Sequence, residues 1–220
     1  MFPDLVPARP QGWIMPSVFT GTNAELIAAV APMYLTGSVL DVTYGNGDTA
    51  GGWWRRFTPN PFTFHDLDLD GVDFRCLPHP DRSFASVTYD PPYVHSGTEA
   101  TTAGVADFRR RFGLAPFHGS AGPLPLILDG LHEVLRVADR FVLVKCMEFA
   151  QGSVVSPSHD GERISTFHDI PHEVTMLALQ RGWVKHDQIV HHTGPGPGGH
   201  NIFEPIRARR HHSYLIVFTR

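Results

Sequence analysis

Cysteine, charge and long apolar runs are all scarce in this 220-residue chain, and each shortage closes off a class of protein. Two cysteines, Cys76 and Cys146, cannot build a disulfide framework, so a reducing compartment is expected. No apolar stretch reaches the roughly 18 residues of a membrane span. The start, "MFPDLVPARPQGW", has no basic segment followed by an apolar core, so it is not read as a secretory signal; a cytoplasmic location follows. Charged residues make up 18% and the formal net charge is −4. Dedicated nucleic-acid binders are usually basic, so any nucleic-acid contact here has to be local. The 14 histidines include no H-E-x-x-H spacing and the two cysteines lie far apart, so no metal is expected. Neither an internal repeat nor a Ser/Gly linker divides the chain, which reads as one domain over residues 1–220.

Glycine and proline, 21 and 19 residues, punctuate the chain instead. Residues 1–20 look irregular, with prolines at 3, 7, 10 and 16. "TNAELIAAVAPMYL" predicts a helix over about 24–34, capped by Thr22 or Asn23. "GSVLDV" predicts a short buried strand, "TAGGWWRRF" a second helix, "FTFHD" a strand near 62–66, and "SFASVTYD" a strand ending at Asp90. "PLPLILDGLHEVLRVA" has helical apolar spacing and "DRFVLVKCM" is a buried strand. "DIPHEVTMLALQRGW" predicts a helix with Pro171 in its first turn, followed by strands in "VKHDQIVHH" and "HSYLIVFT". Alternating strands and helices predict an α/β domain with a mostly parallel sheet, closed by an antiparallel pair. In such sheets ligands sit beyond the carboxyl ends of the strands.

Three of those ends carry chemistry. "LDVTYGNGD" places Asp41 ahead of a turn in which Gly45 and Gly47 allow close backbone approach to a ligand. "FHDLDLD" offers carboxylates suited to a ribose diol, from Asp66, Asp68 or Asp70. "DPPY", Asp90–Tyr93, is the most specific. An exocyclic amine on an aromatic ring is a poor nucleophile, because its lone pair is delocalised into the ring. Asp90 offers a carboxylate to accept one N–H. Pro91 offers a carbonyl that the locked φ of Pro91 and Pro92 holds in a fixed direction. Tyr93 offers a flat face for stacking a base. The alternative is a strand-ending Pro-Pro turn with a chance Asp.

On these residues the chain resembles the S-adenosylmethionine-dependent DNA amino-methyltransferases, which act on adenine N6 or cytosine N4. "DPPY" looks like their motif IV, and "LDVTYGNGD" like motif I, with Tyr44 where Phe is usual. "DFRCLPHPDRSFASVTYDPPY" looks like motif III running into motif IV, and "PSVFTGTNAEL" like motif X. The resemblance covers most of the chain. It implies a Rossmann-like class I methyltransferase fold: a mostly parallel seven-stranded sheet with an antiparallel last strand and helices on both faces. It implies S-adenosylmethionine as cofactor, with Phe19 nearby and Asp41, Tyr44 and the Gly45/Gly47 turn at the methionine end. Asp66 or Asp68 would hold the ribose and Asp73 the adenine, while Asp90, Pro91, Pro92 and Tyr93 hold the target amine.

Adenine N6 in DNA is the first substrate expected, because an Asp-initiated motif goes more often with adenine in that family. An RNA adenine or guanine amine, or cytosine N4 in DNA, is the alternative; a catalytically idle binding module is the rival from another class. The segment 94–123 reads as a mobile substrate-binding loop. The basic runs "RRRF" at 109–112 and "RARRHH" at 207–212 are either solvated surface or a phosphate-contacting rim. "GPGPGGH" at 194–200 reads as a hairpin loop and not a phosphate loop. Lys145, a lone charge within "FVLVKCMEF", either snorkels from the strand end or points into the pocket. A partner subunit or a homodimer is left open.

Overall fold

The computed structural model describes residues 14–45, 52–92, 123–155, 163–192 and 212–220. Gly47, Tyr93, residues 94–122, the run 109–112, all but His212 of the run 207–212, and the segment 194–200 lie outside them.

In chain order the elements are β1 (Val18–Thr20), α1 (Asn23–Tyr34), β2 (Val39–Asp41), α2 (Trp53–Arg56), β3 (Phe62–Phe64) and β4 (Phe84–Tyr89). Then come α3 (Leu124–Val137), β5 (Ala138–Cys146), β6 (Phe149–Val155), β7 (Arg163–His168), α4 (Ile170–Gln180), β8 (Val184–His192) and β9 (His212–Thr219). Seven strands form one sheet in the order β1-β8-β9-β5-β4-β2-β3, while β6 and β7 form a separate antiparallel ribbon. Pairings β1/β8, β2/β3, β2/β4 and β4/β5 are parallel, and β9 runs antiparallel to both its neighbours, β5 and β8.

The apolar runs of the central strands follow from burial on both faces. Along β5, Phe141 and Leu143 join one core while Val142, Val144 and Cys146 join the other. Along β9, Leu215 and Val217 alternate with Ile216 and Phe218 in the same way. The first core is covered by α1, through Leu26, Ile27 and Val30; the second by α3 and α4, through Ile127, Leu131, Val134, Ile170 and Val174. Helices therefore cover both faces of a Rossmann-like sheet, as expected.

Local signals explain the helix starts. Thr22, and not Asn23, caps α1: its Oγ1 accepts from Glu25 N at 3.2 Å, and Glu25 Oε2 accepts from Thr22 N at 2.7 Å. Asp169 caps α4 by accepting from His172 N at 3.1 Å, with Pro171 in the first turn. In α3, Gly130 lets the helix press onto β4. A Cβ there would lie 2.3 Å from Tyr89 Oη and 2.4 Å from the Phe74 ring. Tyr89 Oη meanwhile donates to the Ile127 carbonyl at 3.0 Å.

Two expectations need correction, and one element was missed. Residues 18–20 are not irregular but form β1, an edge strand seated on β8 through Val18↔Val190 and Thr20↔His192. The β6/β7 ribbon was not anticipated. The closing antiparallel pair is not terminal in the sheet: β9 is interior, with β8 and β1 outside it. The cause is apolar content. β9 is buried at Leu215, Ile216, Val217 and Phe218, whereas β8 begins with exposed Val184, Lys185 and His186.

Gly130→Ala tests the α3–β4 contact by the sign of its effect. Helix propensity alone favours alanine by about 1 kcal/mol. The overlap with Tyr89 and Phe74 predicts a net loss of about 1–3 kcal/mol, read from chemical denaturation.

Candidate functional site

Sheet register sets the site. Asp41 of β2 is level with Thr88 of β4, which is level with Leu143 of β5. Side chains alternate along a strand, so two residues further on Thr43, Asp90 and Lys145 follow on the same face. Contacts agree: Asp90 N donates to Thr43 Oγ1 at 2.8 Å, and Lys145 Nζ lies 3.5 Å from Asp90 Oδ2. An open cleft lies at this end of the sheet, lined by Val42, Thr43, Gly45, Asp66, Phe74, Asp90 and Pro92.

Asp41 lies beneath the cleft, 2% exposed, and its Oδ1 accepts from Thr43 N at 3.1 Å. Burial, with Asp90 and Asp66 adding repulsion, pushes its carboxyl up to about 7. Gly45, with φ of 72°, takes the left-handed conformation the turn requires, and its N–H donates to Asp66 Oδ2 at 2.9 Å. The other Asp66 oxygen accepts from Asp68 N at 2.9 Å, which fixes the carboxylate at the cleft wall.

The three candidate acids at the end of β3 are thereby separated. Asp66 lines the cleft and Asp68 is exposed to solvent. Asp70 is committed to its own turn and to His65, whose Nδ1 lies 2.7 Å from Asp70 Oδ2. His65 Nε2 in turn meets His79 Nε2 at 2.7 Å, so an Asp–His–His chain braces the acidic turn from behind.

Other residues singled out from the sequence stand further off. Tyr44 stacks on Phe64, with ring centroids 4.1 Å apart, and its hydroxyl approaches Gly52. It packs on β3 and does not line the cleft. Asp73 spends its carboxylate on Arg75, accepting from the backbone N at 2.8 Å and from the guanidinium at 2.5–3.0 Å; Arg75 holds it below the usual carboxylate range. Its neighbour Phe74 lines the cleft instead, packed edge-on against Tyr89 at 5.5 Å. Phe19 lies on edge strand β1, its ring 6.1 Å from that of His191. Of the two prolines, both buried, Pro92 does line the cleft beside Asp90.

Lys145 does not snorkel. It is 3% exposed and faces Asp90. The Asp90 side chain is 32% exposed, at the cleft floor; burial raises its pKa and Lys145 opposes the rise. His191 is fully buried and its Nε2 is 2.9 Å from the Gly21 carbonyl. A carbonyl only accepts, so Nε2 carries the proton and Nδ1 is the bare nitrogen. Burial lowers the pKa of this ring, which keeps it neutral. Thr43, Phe74 and the pairing of Lys145 with Asp90 escaped the sequence reading. For Thr43 and Lys145 the usable signal was parity, two residues on from Asp41 and from Leu143.

No protein-family model and no curated protein matches the sequence. Solved structures with a similar chain path include the 1,6-didemethyltoxoflavin-N1-methyltransferase of Burkholderia thailandensis, with S-adenosylhomocysteine bound. It is 12% identical, covers 90% of this chain and 77% of its own, and has a TM-score of 0.46. A SAM-dependent methyltransferase from Methanosarcina mazei is 12% identical over 87% of this chain and 96% of its own, with a TM-score of 0.41. A mutant of the 16S rRNA (adenine(1408)-N(1))-methyltransferase from Catenulisporales acidiphilia is 12% identical over 90% and 93%, with a TM-score of 0.32. Likeness at that level fixes neither an activity nor a substrate.

Asp41→Asn gives a stability test with a definite sign. A folded carboxyl that titrates at about 7 binds a proton that the unfolded chain has already released. Stability therefore falls as pH rises from about 4 to about 7, and is level above that. Asparagine keeps the acceptor for Thr43 N and removes the slope. The variant should melt several degrees higher than the parent at alkaline pH, with the gap closing toward acid pH. Identical pH slopes in thermal unfolding would contradict the assignment.

Proposed function

We propose that this chain is a single-domain methyltransferase that carries a methyl group from S-adenosylmethionine to the exocyclic amine of a nucleic-acid base, with adenine N6 in DNA as the leading substrate. One observation carries the reading. Asp90, at the end of a buried strand and followed by two buried prolines, shares one cleft with the Gly45 turn and Asp66.

The cleft suits the cofactor by its donor set. Asp66 is a fixed acceptor suited to a ribose diol, and Phe74 supplies an apolar face for a purine. Asp41, Asp66 and Asp90 together favour a ligand that brings positive charge. When bound, S-adenosylmethionine would supply a methyl group on a sulfonium centre: as the nitrogen–carbon bond forms the carbon–sulfur bond breaks, S-adenosylhomocysteine is the leaving group, and the surplus amine proton is lost to water. The cofactor's methionine end would be held by the turn that follows Asp41, at Gly45 and Gly47.

The protein's own part is orientation and charge. Asp90 accepts one hydrogen of the target amine and the Pro91 carbonyl the other, so the nitrogen is turned toward the donor. Holding reactants in line is worth up to about 7–11 kcal/mol in the most favourable intramolecular reactions. A carboxylate beside the amine also stabilises the positive charge that grows on nitrogen. Tyr93, next in sequence after Pro92, would stack on the base. In duplex DNA the base must first be flipped out, at about a few kcal/mol. The intact Asp-Pro-Pro-Tyr run favours an active enzyme over an idle binding module.

Nucleoside mass spectrometry on a host that makes no N6-methyladenine tests the substrate. The full chain should add N6-methyladenine to DNA, and Asp90→Ala should return it to background. N4-methylcytosine would change the base, and modified RNA alone would replace DNA by RNA. No binding of S-adenosylmethionine by calorimetry would overturn the enzyme reading. Binding should also depend on pH, because a cationic ligand favours ionised Asp41. Affinity should rise by up to about tenfold per pH unit below about 7 and level off above it, and Asp41→Asn should flatten the profile.

A further inference from the structure

We infer that Lys145 is a positioning residue for the proposed reaction: its ammonium holds Asp90 as a carboxylate, aimed at the target amine, once the cleft is filled. The inference rests on the function proposed above and adds a residue to it.

Three observations carry it. Register puts Lys145 and Asp90 side by side on the same face of parallel neighbours, one step past Tyr89↔Val144. Lys145 is 3% exposed within a strand whose other inward residues are apolar, and burying an ammonium is costly unless it is paired. Its Nζ lies 3.5 Å from Asp90 Oδ2, while the Asp90 backbone N–H is tied to Thr43 Oγ1, so the main chain is anchored on one side and the carboxylate faces the ammonium on the other.

The need for such a partner grows on binding. In the open cleft Asp90 keeps 32% of its side-chain exposure, and water shares in solvating its charge. A base and a cofactor in the cleft displace that water, and the single sulfonium charge is shared with Asp41 and Asp66 and is lost as the methyl group leaves. A desolvated carboxylate takes up a proton unless a cation stays beside it. A protonated Asp90 would present an O–H in place of one acceptor, and would lose the charge that offsets the cation growing on nitrogen. The titratable groups around Asp90 give little help. Asp41 on β2 adds negative charge, Cys146 on β5 is a buried thiol pushed up by burial, and His191 on β8 is held neutral by burial.

The test compares the full chain with Lys145→Met and Lys145→Arg. Lys145→Met should bind S-adenosylmethionine within about threefold of the parent and keep its KM for DNA. Its kcat at neutral pH should fall by about 10²-fold. The acid limb of its kcat profile should move up by about one pH unit or more, with activity returning at alkaline pH, and Lys145→Arg should restore the limb. An unmoved limb with kcat within threefold would overturn the inference.

A ¹³C titration of labelled aspartate, with S-adenosylhomocysteine bound, reads the same point without turnover. The Asp90 carboxyl should be ionised at neutral pH in the parent and should titrate higher in Lys145→Met. A parent Asp90 that is protonated at neutral pH overturns the inference even if the variant does not fold. A parent that transfers no methyl group while Asp90 shows the expected titration would sink the function and leave the Lys145–Asp90 coupling standing.

Discussion

Carboxylates crowd one end of this sheet, and the surrounding structure is built to tolerate them. Asp41, Asp66 and Asp90 lie close enough that the first feels both of the others. Like charges at short range in a partly desolvated cleft cost free energy. The protein offsets that cost in three separate ways. Asp41 tends to hold its proton up to about 7, Asp66 is satisfied by the amides of Gly45 and Asp68, and Asp90 is set beside buried Lys145. Each solution depends on the backbone: a two-residue step along β2, a left-handed glycine after it, and a parallel register with β5. A ligand that brings positive charge relieves what the free protein bears. The acidity of the cleft is thus a store of binding free energy as well as a burden on folding.

Much of the frame was legible in the sequence. Continuous apolar runs such as "FVLV" and "LIVF" identified strands buried on both faces, and alternation of strands with helices gave the sheet its class. What escaped was short or weakly patterned. β1 has three residues and stands among prolines, so no periodicity could develop. It is fixed by pairing with a strand some 170 residues later, as the bond from His191 to Gly21 illustrates. The interior place of β9 was hidden because adjacency in sequence suggests a terminal hairpin, whereas burial decides which strand lies inside.

The site was legible in its chemistry and less so in its directions. "DPPY" and the Asp41–Gly45 turn meet in one cleft, as far as the described residues Asp90–Pro92 go. Spacing alone could not choose among Asp66, Asp68 and Asp70, because in an acidic turn the side chain that faces inward is decided by its amide partners. Asp73 and Phe74 are adjacent, yet the structure engages Asp73 with Arg75 and gives Phe74 the cleft wall. Tyr44 faces Phe64 because β3 needs cover there. Lys145 could be read either way from sequence, and parity with Leu143 decides it.

The interior position of β9 has a kinetic side. Among the described residues, β8 and β1 connect to the rest of the sheet only through β9, which follows them in the chain. Until β9 slots between β5 and β8, the sheet exists as two unjoined parts with open hydrogen-bonding edges. The insertion pairs residues near 215 with residues near 143 on one side and 189 on the other. Contacts of such long sequence separation slow folding and prolong the life of sticky intermediates. Rapid folding of this topology would therefore require early capture of the last strand, and conditions that disfavour capture would leave an edge available to another chain.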